Sequence, residues 1–199
     1  GEVLAFATDT VWGFGCLPTD ETAVEKIYEI KKRDAKKPLI LMSYDFEHLK
    51  KYVKNIPDYA SILIEKYLPG GLTLIFEKSP MCPSFVTSNQ NTVGIRIPNN
   101  EDFFELTKQI EGGVLATTSC NISSENPVVN YEEAKEKFSK NATIIKPKDI
   151  FGDEILTWQW IEQNAKNVFE NANFTQIKTP IFEATELFAR GVGDSTDIV

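Results

Sequence analysis

Five short apolar runs, residues 3–7, 39–42, 72–77, 93–97 and 114–118, alternate, except between the third and fourth, with stretches that read as helices. This alternation constrains the fold more than any other feature of the chain. Strands that follow one another through helices share a sheet whose faces those helices cover, which makes an α/β domain. The first helix is predicted over 21–32, where Ala23, Val24, Ile27, Tyr28 and Ile30 form the apolar stripe and Asp20 stands at the N-cap. Two short helices are predicted over 46–53 and 59–67, followed by the turn Leu68-Pro69-Gly70-Gly71. Asn100 is placed to cap the helix carrying Phe103, Phe104, Leu106 and Ile110, and Asn130 with Glu133 reads as a capping box. A last helix is predicted over 155–169, with Trp158, Ile161, Ala165 and Val168 on one face. No repeat or linker interrupts the chain. The expectation is one domain over 1–199: a twisted sheet, mostly parallel or mixed, with flanking helices and a concave ligand cleft.

A chain of 199 residues buries roughly 70% of its unfolded surface, so its core needs no disulfide or structural metal. Cys16, Cys82 and Cys120 are odd in number and far apart, which suits a reducing compartment. The lone His48 has no second ligand at metal spacing, so no metal-ligating residues are proposed. The apolar runs fall far short of the roughly 20 residues of a membrane span, and no basic-then-apolar leader opens the chain. The expected location is cytoplasmic, with no membrane partner. Net charge is −8, which points away from a nucleic-acid backbone as the main ligand. Against that acidic balance, Lys31, Lys32, Arg33, Lys36 and Lys37 crowd into one short stretch.

Four segments carry polar groups at the ends of, or within, predicted strands. Thr8-Asp9-Thr10-Val11-Trp12-Gly13-Phe14-Gly15 follows the first strand, where open α/β sheets place ligands. Its glycines allow close backbone approach, and its polar residues equally suit a strand end with Asx-turn chemistry. Lys31-Lys32-Arg33 complements the negative end of a helix dipole. Its continuation through Lys36-Lys37-Pro38 fits either a solvated loop or an anion site, for which a guanidinium fork is well shaped. Thr117-Thr118-Ser119-Cys120-Asn121-Ile122-Ser123-Ser124 makes a polar cup after a buried strand, or a loop of turn-forming residues. No G-x-S-x-G elbow surrounds Ser119 and no histidine lies beside it in sequence, so nucleophilic catalysis is disfavoured. Arg96 interrupts the run Val93, Ile95, Ile97 and is read as an edge residue, a partnered one, or a ligand for a carboxylate. No P-loop signature is present.

Together these segments resemble the threonylcarbamoyl-AMP synthase family, with its YrdC-like fold. The family's P-T-D-T-V-Y-G-L-G stretch is similar to Ala7 through Gly15, and its A-V-x-x-I-Y-x-x-K-x-R helix to Ala23, Val24, Ile27, Tyr28, Lys31 and Arg33. K-P-L is matched by Lys37-Pro38-Leu39, and W-P-G-x-L-T-L by the run from Leu68 to Leu74. V-G-x-R-x-P resembles Val93 through Pro98, and T-S-A-N-x-S resembles Thr118 through Ser123. The pairing of K-x-R with S-x-N is the family's hallmark, and both halves are intact. Ala7, Trp12, Leu68 and Ser124 depart from the usual proline, tyrosine, tryptophan and glycine. An extra segment at about 151–193 precedes Ser195-Thr196-Asp197-Ile198-Val199, where the family carries S-T-[IV]-[VI]-D.

The resemblance implies an enzyme that forms threonylcarbamoyl-adenylate and pyrophosphate from L-threonine, bicarbonate and ATP, for threonylcarbamoyladenosine modification of tRNA. Lys31, Arg33, Ser119 and Asn121 would be the catalytic group. Thr10, Arg96 and Thr117 would bind threonine. Arg33, Lys37, Thr92, Ser119 and Ser195 would bind the nucleotide, with Mg2+ on its phosphates. The intermediate would pass to downstream threonylcarbamoyl-transfer proteins, with direct tRNA binding weak or absent. Two other functions are weighed: carbamoyl transfer on the same fold, which normally sits beside zinc fingers not seen here, and a structured-RNA module, which the net charge disfavours.

Overall fold

The computed structural model describes residues 1–148. Its strands are β1 (Leu4–Phe6), β2 (Gly13–Cys16), β3 (Ile40–Ser43), β4 (Leu74–Glu77), β5 (Thr92–Arg96), β6 (Val114–Ser119) and β7 (Thr143–Ile144). Its helices are α1 (Glu21–Lys31), α2 (Phe46–Lys50), α3 (Asp58–Tyr67), α4 (Glu101–Lys108) and α5 (Tyr131–Phe138), with a 3-10 turn at Glu111–Gly113. The strands form one sheet in the order β4-β5-β3-β6-β2-β1-β7. β3 runs parallel to β5 and β1 to β7, while the other pairings are antiparallel. The sheet is therefore mixed, with helices flanking it. Connection length explains the first antiparallel pair. β1 and β2 are joined by residues 7–12 alone, too few for the crossover of about a dozen residues that a parallel neighbour requires.

Alternation along the strands divides the sheet into two faces. Ala5, Phe14, Leu41, Ile95 and Ala116 point to one, and join Ala23, Val24 and Ile27 of α1 and Ala134 and Phe138 of α5 in the main core. Phe14 meets Phe138 edge-on at 4.9 Å between centroids. On the other face Phe6, Met42 and Leu115 pack with Phe103 of α4 in a second cluster. Beside that cluster the register brings Ile40 between Gly94 of β5 and Thr117 of β6, with Arg96, Ser119, Gly13 and Gly15 on the same side.

Gly13 and Gly15 were expected to line a ligand loop, and they instead belong to β2. The space above them is filled by the protein itself: a Cβ on Gly15 would stand 2.8 Å from Phe6 Cε1, and one on Gly13 would stand 3.2 Å from Phe6 Cε2. The glycines let the Phe6 ring lie on the sheet.

The predicted caps form. Asp20 Oδ1 accepts from Ala23 N at 3.0 Å, and Asn100 Oδ1 accepts from Phe103 N at 2.8 Å. Asn130 Oδ1 accepts from Glu133 N at 2.9 Å, but the Glu133 carboxylate accepts from Val129 N, one residue ahead of the capping-box partner. The second helix stops at Lys50 rather than residue 53, because Val53 is drawn into a β-bridge with Lys78. The predicted helix over 155–169, the extra segment and Ser195 lie outside the described residues. Cys16, Cys82 and Cys120 are buried free thiols. Among the described residues no helix is long and apolar enough to cross a membrane.

Candidate active site

Lys31 closes the apolar stripe of α1 at helical spacing from Val24 and Ile27, and that position carries its side chain inward until it is 1% exposed. A buried ammonium must spend its donors on acceptors. Here Lys31 Nζ donates to Ser119 O at 2.5 Å, to Asn121 O at 2.9 Å and to Asn121 Oδ1 at 2.7 Å, with Ser119 Oγ at 3.4 Å. Ser119 Oγ in turn donates to Asn121 Oδ1 at 2.6 Å, and Asn121 Nδ2 donates to Ile122 O and Glu125 O. The two halves of the K-x-R and S-x-N pattern are thus joined in one hydrogen-bonded unit. Burial, with the nearby Arg33 charge, pushes the Lys31 ammonium down to about 8. These bonds make Lys31 a clamp on the turn after β6.

Arg33 lies just past the helix, beyond Lys32 in the left-handed region at φ 49°. Its amide donates to Tyr28 O at 3.0 Å, completing the reversal that ends α1. The guanidinium folds back on its own loop: Nε donates to Lys37 O at 3.3 Å and Nη2 to Pro38 O at 3.2 Å. Its Nη1 donors meet no acceptor among the described residues. Tyr28 Oη also donates to Lys37 O, and Lys36 N to Asp34 Oδ1. The loop is therefore ordered by its own bonds while Lys36 and Lys37 remain exposed. The result is a fixed loop with free cationic groups, the arrangement an anion site needs.

Arg96 sits on β5, a strand between β4 and β3 and not an edge. Its side chain is buried, and of the sequence alternatives the partnered one holds. Nε donates to Gly70 O at 3.1 Å and Nη2 to Asp9 Oδ1 at 2.5 Å. Asp9 belongs to the loop joining β1 to β2, and β6 and β3 separate β2 from β5 in the sheet. The loop must therefore arch over the open face to reach Arg96. Gly70 and Gly71 come to meet it from the opposite side, where a Cβ on Gly71 would lie 3.8 Å from Thr10 Cγ2. Within the loop Thr8, not Asp9, supplies the turn chemistry: its Oγ1 donates to Val11 O at 2.7 Å and accepts from Thr10 N at 3.3 Å.

The sequence-derived residues thus fall into two groups. Lys31, Arg33, Ser119 and Asn121 gather where α1 meets the end of β6, and Thr10 and Arg96 gather under the arching loops. Thr117 is buried on the same face, with its hydroxyl donating to Ile40 O at 3.3 Å. Thr92 is exposed at the start of β5. Two features escaped the sequence. One is Asp9 as the partner of Arg96, of which an acidic residue in a strand-end loop was the only trace. The other is Ser123, whose amide donates to Lys31 O at 2.7 Å while its buried hydroxyl has no partner among the described residues.

The Sua5_yciO_yrdC family model, described as telomere recombination, matches residues 1–155. The chain belongs to the Sua5/YciO/YrdC family. A threonylcarbamoyl-AMP synthase of Pyrococcus abyssi is 37% identical over 146 residues, covering 73% of this chain and 43% of that protein. The chain thus spans less than half the length of that relative. A threonylcarbamoyl-AMP synthase of Pseudoalteromonas translucida is 32% identical over 142 residues, covering 70% of this chain and 75% of its own. Among solved structures, P. abyssi Sua5 complexed with L-threonine superposes with a TM-score of 0.69 at 35% identity, covering 73% of this chain and 42% of that one.

Proposed function

We propose that this protein is a threonylcarbamoyl-AMP synthase, forming threonylcarbamoyl-adenylate and pyrophosphate from L-threonine, bicarbonate and ATP to supply tRNA modification. The observation that carries this reading is the Lys31 clamp, which joins the basic helix end to the Ser119-Cys120-Asn121 turn. In this reaction the threonine amine captures bicarbonate as a carbamate. A carbamate oxygen then attacks the α-phosphorus of ATP, and pyrophosphate leaves. The chemistry asks for positioning and charge neutralisation rather than a covalent nucleophile. Arg33, with Lys37, holds phosphate oxygens through donors the loop leaves free. Ser119, Asn121 and Thr92 seat the nucleotide; Ser195, also named for it from the sequence, lies outside the described residues. Arg96 takes the threonine carboxylate, with Thr10 beside it and Thr117 beneath. Lys31 acts through Ser119 and Asn121, as a positioning residue.

Magnesium would come with ATP as part of the substrate and neutralise phosphate charge. Among the described residues no three His, Cys, Asp or Glu side chains gather into a cation site, and the loop facing the phosphates is basic. Buried thiols, with burial pushing Cys16 and Cys120 up to about 12, fit a reducing cytoplasm, where the product passes to transfer proteins that act on tRNA. The test is a pyrophosphate-release assay with ATP. Release is expected only when L-threonine and bicarbonate are both present, and release indifferent to the amino acid would overturn the assignment.

A further inference from the structure

Arg96 and Asp9 form an ion pair whose side chains are 9% and 16% exposed, yet each keeps unused capacity. Of the guanidinium donors, Nε–H goes to Gly70 O and one on Nη2 goes to Asp9 Oδ1. Those on Nη1 meet no acceptor among the described residues. Asp9 Oδ2 likewise accepts from no described residue. A cation and an anion therefore stand side by side, each with one end committed to the fold and one end free among the described residues. An α-amino acid presents the complementary pair, a carboxylate and an amine on one carbon.

The electrostatics favour that ligand over a plain acid. Asp9 offsets the Arg96 charge, so a lone carboxylate gains little from approaching the pair. A zwitterion gains at both ends. We infer that Asp9 is a specificity-determining residue, whose Oδ2 accepts from the α-amine of the amino acid while Arg96 holds its carboxylate. The inference rests on the amino-acid site of the proposed function and adds how that site reads an amine. A purely structural Asp9, present only to neutralise a buried guanidinium, would affect all carboxylate ligands alike.

Calorimetric titration of the full chain with L-threonine and with β-hydroxybutyrate, which lacks the amine, separates the two roles. The intact protein is expected to prefer L-threonine by roughly tenfold or more, the worth of a charge-assisted hydrogen bond. In Asp9→Asn, Oδ1 remains for Arg96 but an N–H replaces the free carboxylate oxygen, and the preference should shrink to about threefold or less. Asp9→Glu keeps a carboxylate and should keep the preference; thermal melting confirms that both variants fold. A preference unchanged in Asp9→Asn, or both ligands weakened equally in either variant, overturns the role of Asp9. Intact protein that binds neither compound overturns the amino-acid site itself, and Asp9's role falls with it.

Discussion

Arg33 ends a helix, and any cation there interacts favourably with the helix dipole, by about 0.3–1 kcal/mol at an exposed site. Lysine would do that equally well, but an ammonium cannot reproduce a planar fork on phosphate. Arg33→Lys keeps that charge but gives up the bonds to Lys37 O and Pro38 O, so it is expected to melt a few degrees below the parent and stay folded, while ATP-dependent turnover falls by roughly tenfold or more. Unchanged turnover would leave Arg33 as a helix-end charge. Lys31 answers to a different variable. Its ammonium titrates near 8 when folded, against 10.5 for the ordinary group. Below pH 8 both folded and unfolded chains hold the proton, and the whole cost of burying it is present. As pH rises from 8 towards 10.5 the folded chain releases it first, so stability rises relative to a variant without the group. The stability of the parent relative to Lys31→Met should therefore move in the parent's favour across that window, read from denaturant midpoints; a constant gap would mean that Lys31 keeps its proton. The burial of this lysine was legible in the sequence, since Val24, Ile27 and Lys31 share one helical stripe, but its partners Ser119 and Asn121 lie 88 and 90 residues away and left no local trace.

At the level of elements, α1 stops at Lys32, a residue held at φ 49° where a side chain is strained. Glycine suits that conformation, and Lys32→Gly should raise stability by about 0.5–1 kcal/mol, net of the extra freedom it gives the unfolded chain. Calorimetric melting checks the sign. Gly15→Ala should do the reverse, because its Cβ would meet the Phe6 ring at 2.8 Å and push it against Phe103. The helices and their caps were readable because Asp20, Asn100 and Asn130 act on amides within their own helices. β2 was not. Its glycines have low strand propensity, and only the distant Phe6 ring gives them a reason to sit in a sheet. β7 is two residues long, and its pairing with β1 spans nearly the whole described chain. No local pattern encodes such a contact.

For the whole molecule, β3 and β6 lie at the centre of the sheet and β4 and β7 at its edges. Amides of Leu41 and Ala116 should exchange with solvent only at the rate of global unfolding, and those of β4 and β7 well before it; hydrogen-exchange mass spectrometry would show uniform protection if the sheet opened as one unit. Alternating strands and helices announced the α/β class, and the family pattern named residues that the structure gathers into two groups. How loops from opposite sides meet over the sheet depended on Arg96, whose partners lie 26 and 87 residues away. The Lys31 clamp has a consequence for recognition as a whole. Because the helix end and the turn after β6 are fastened together by folding, their mutual order is complete before any ligand arrives. The entropy of assembling that half of the site is charged to the fold rather than to binding, so affinity there reflects the contacts themselves.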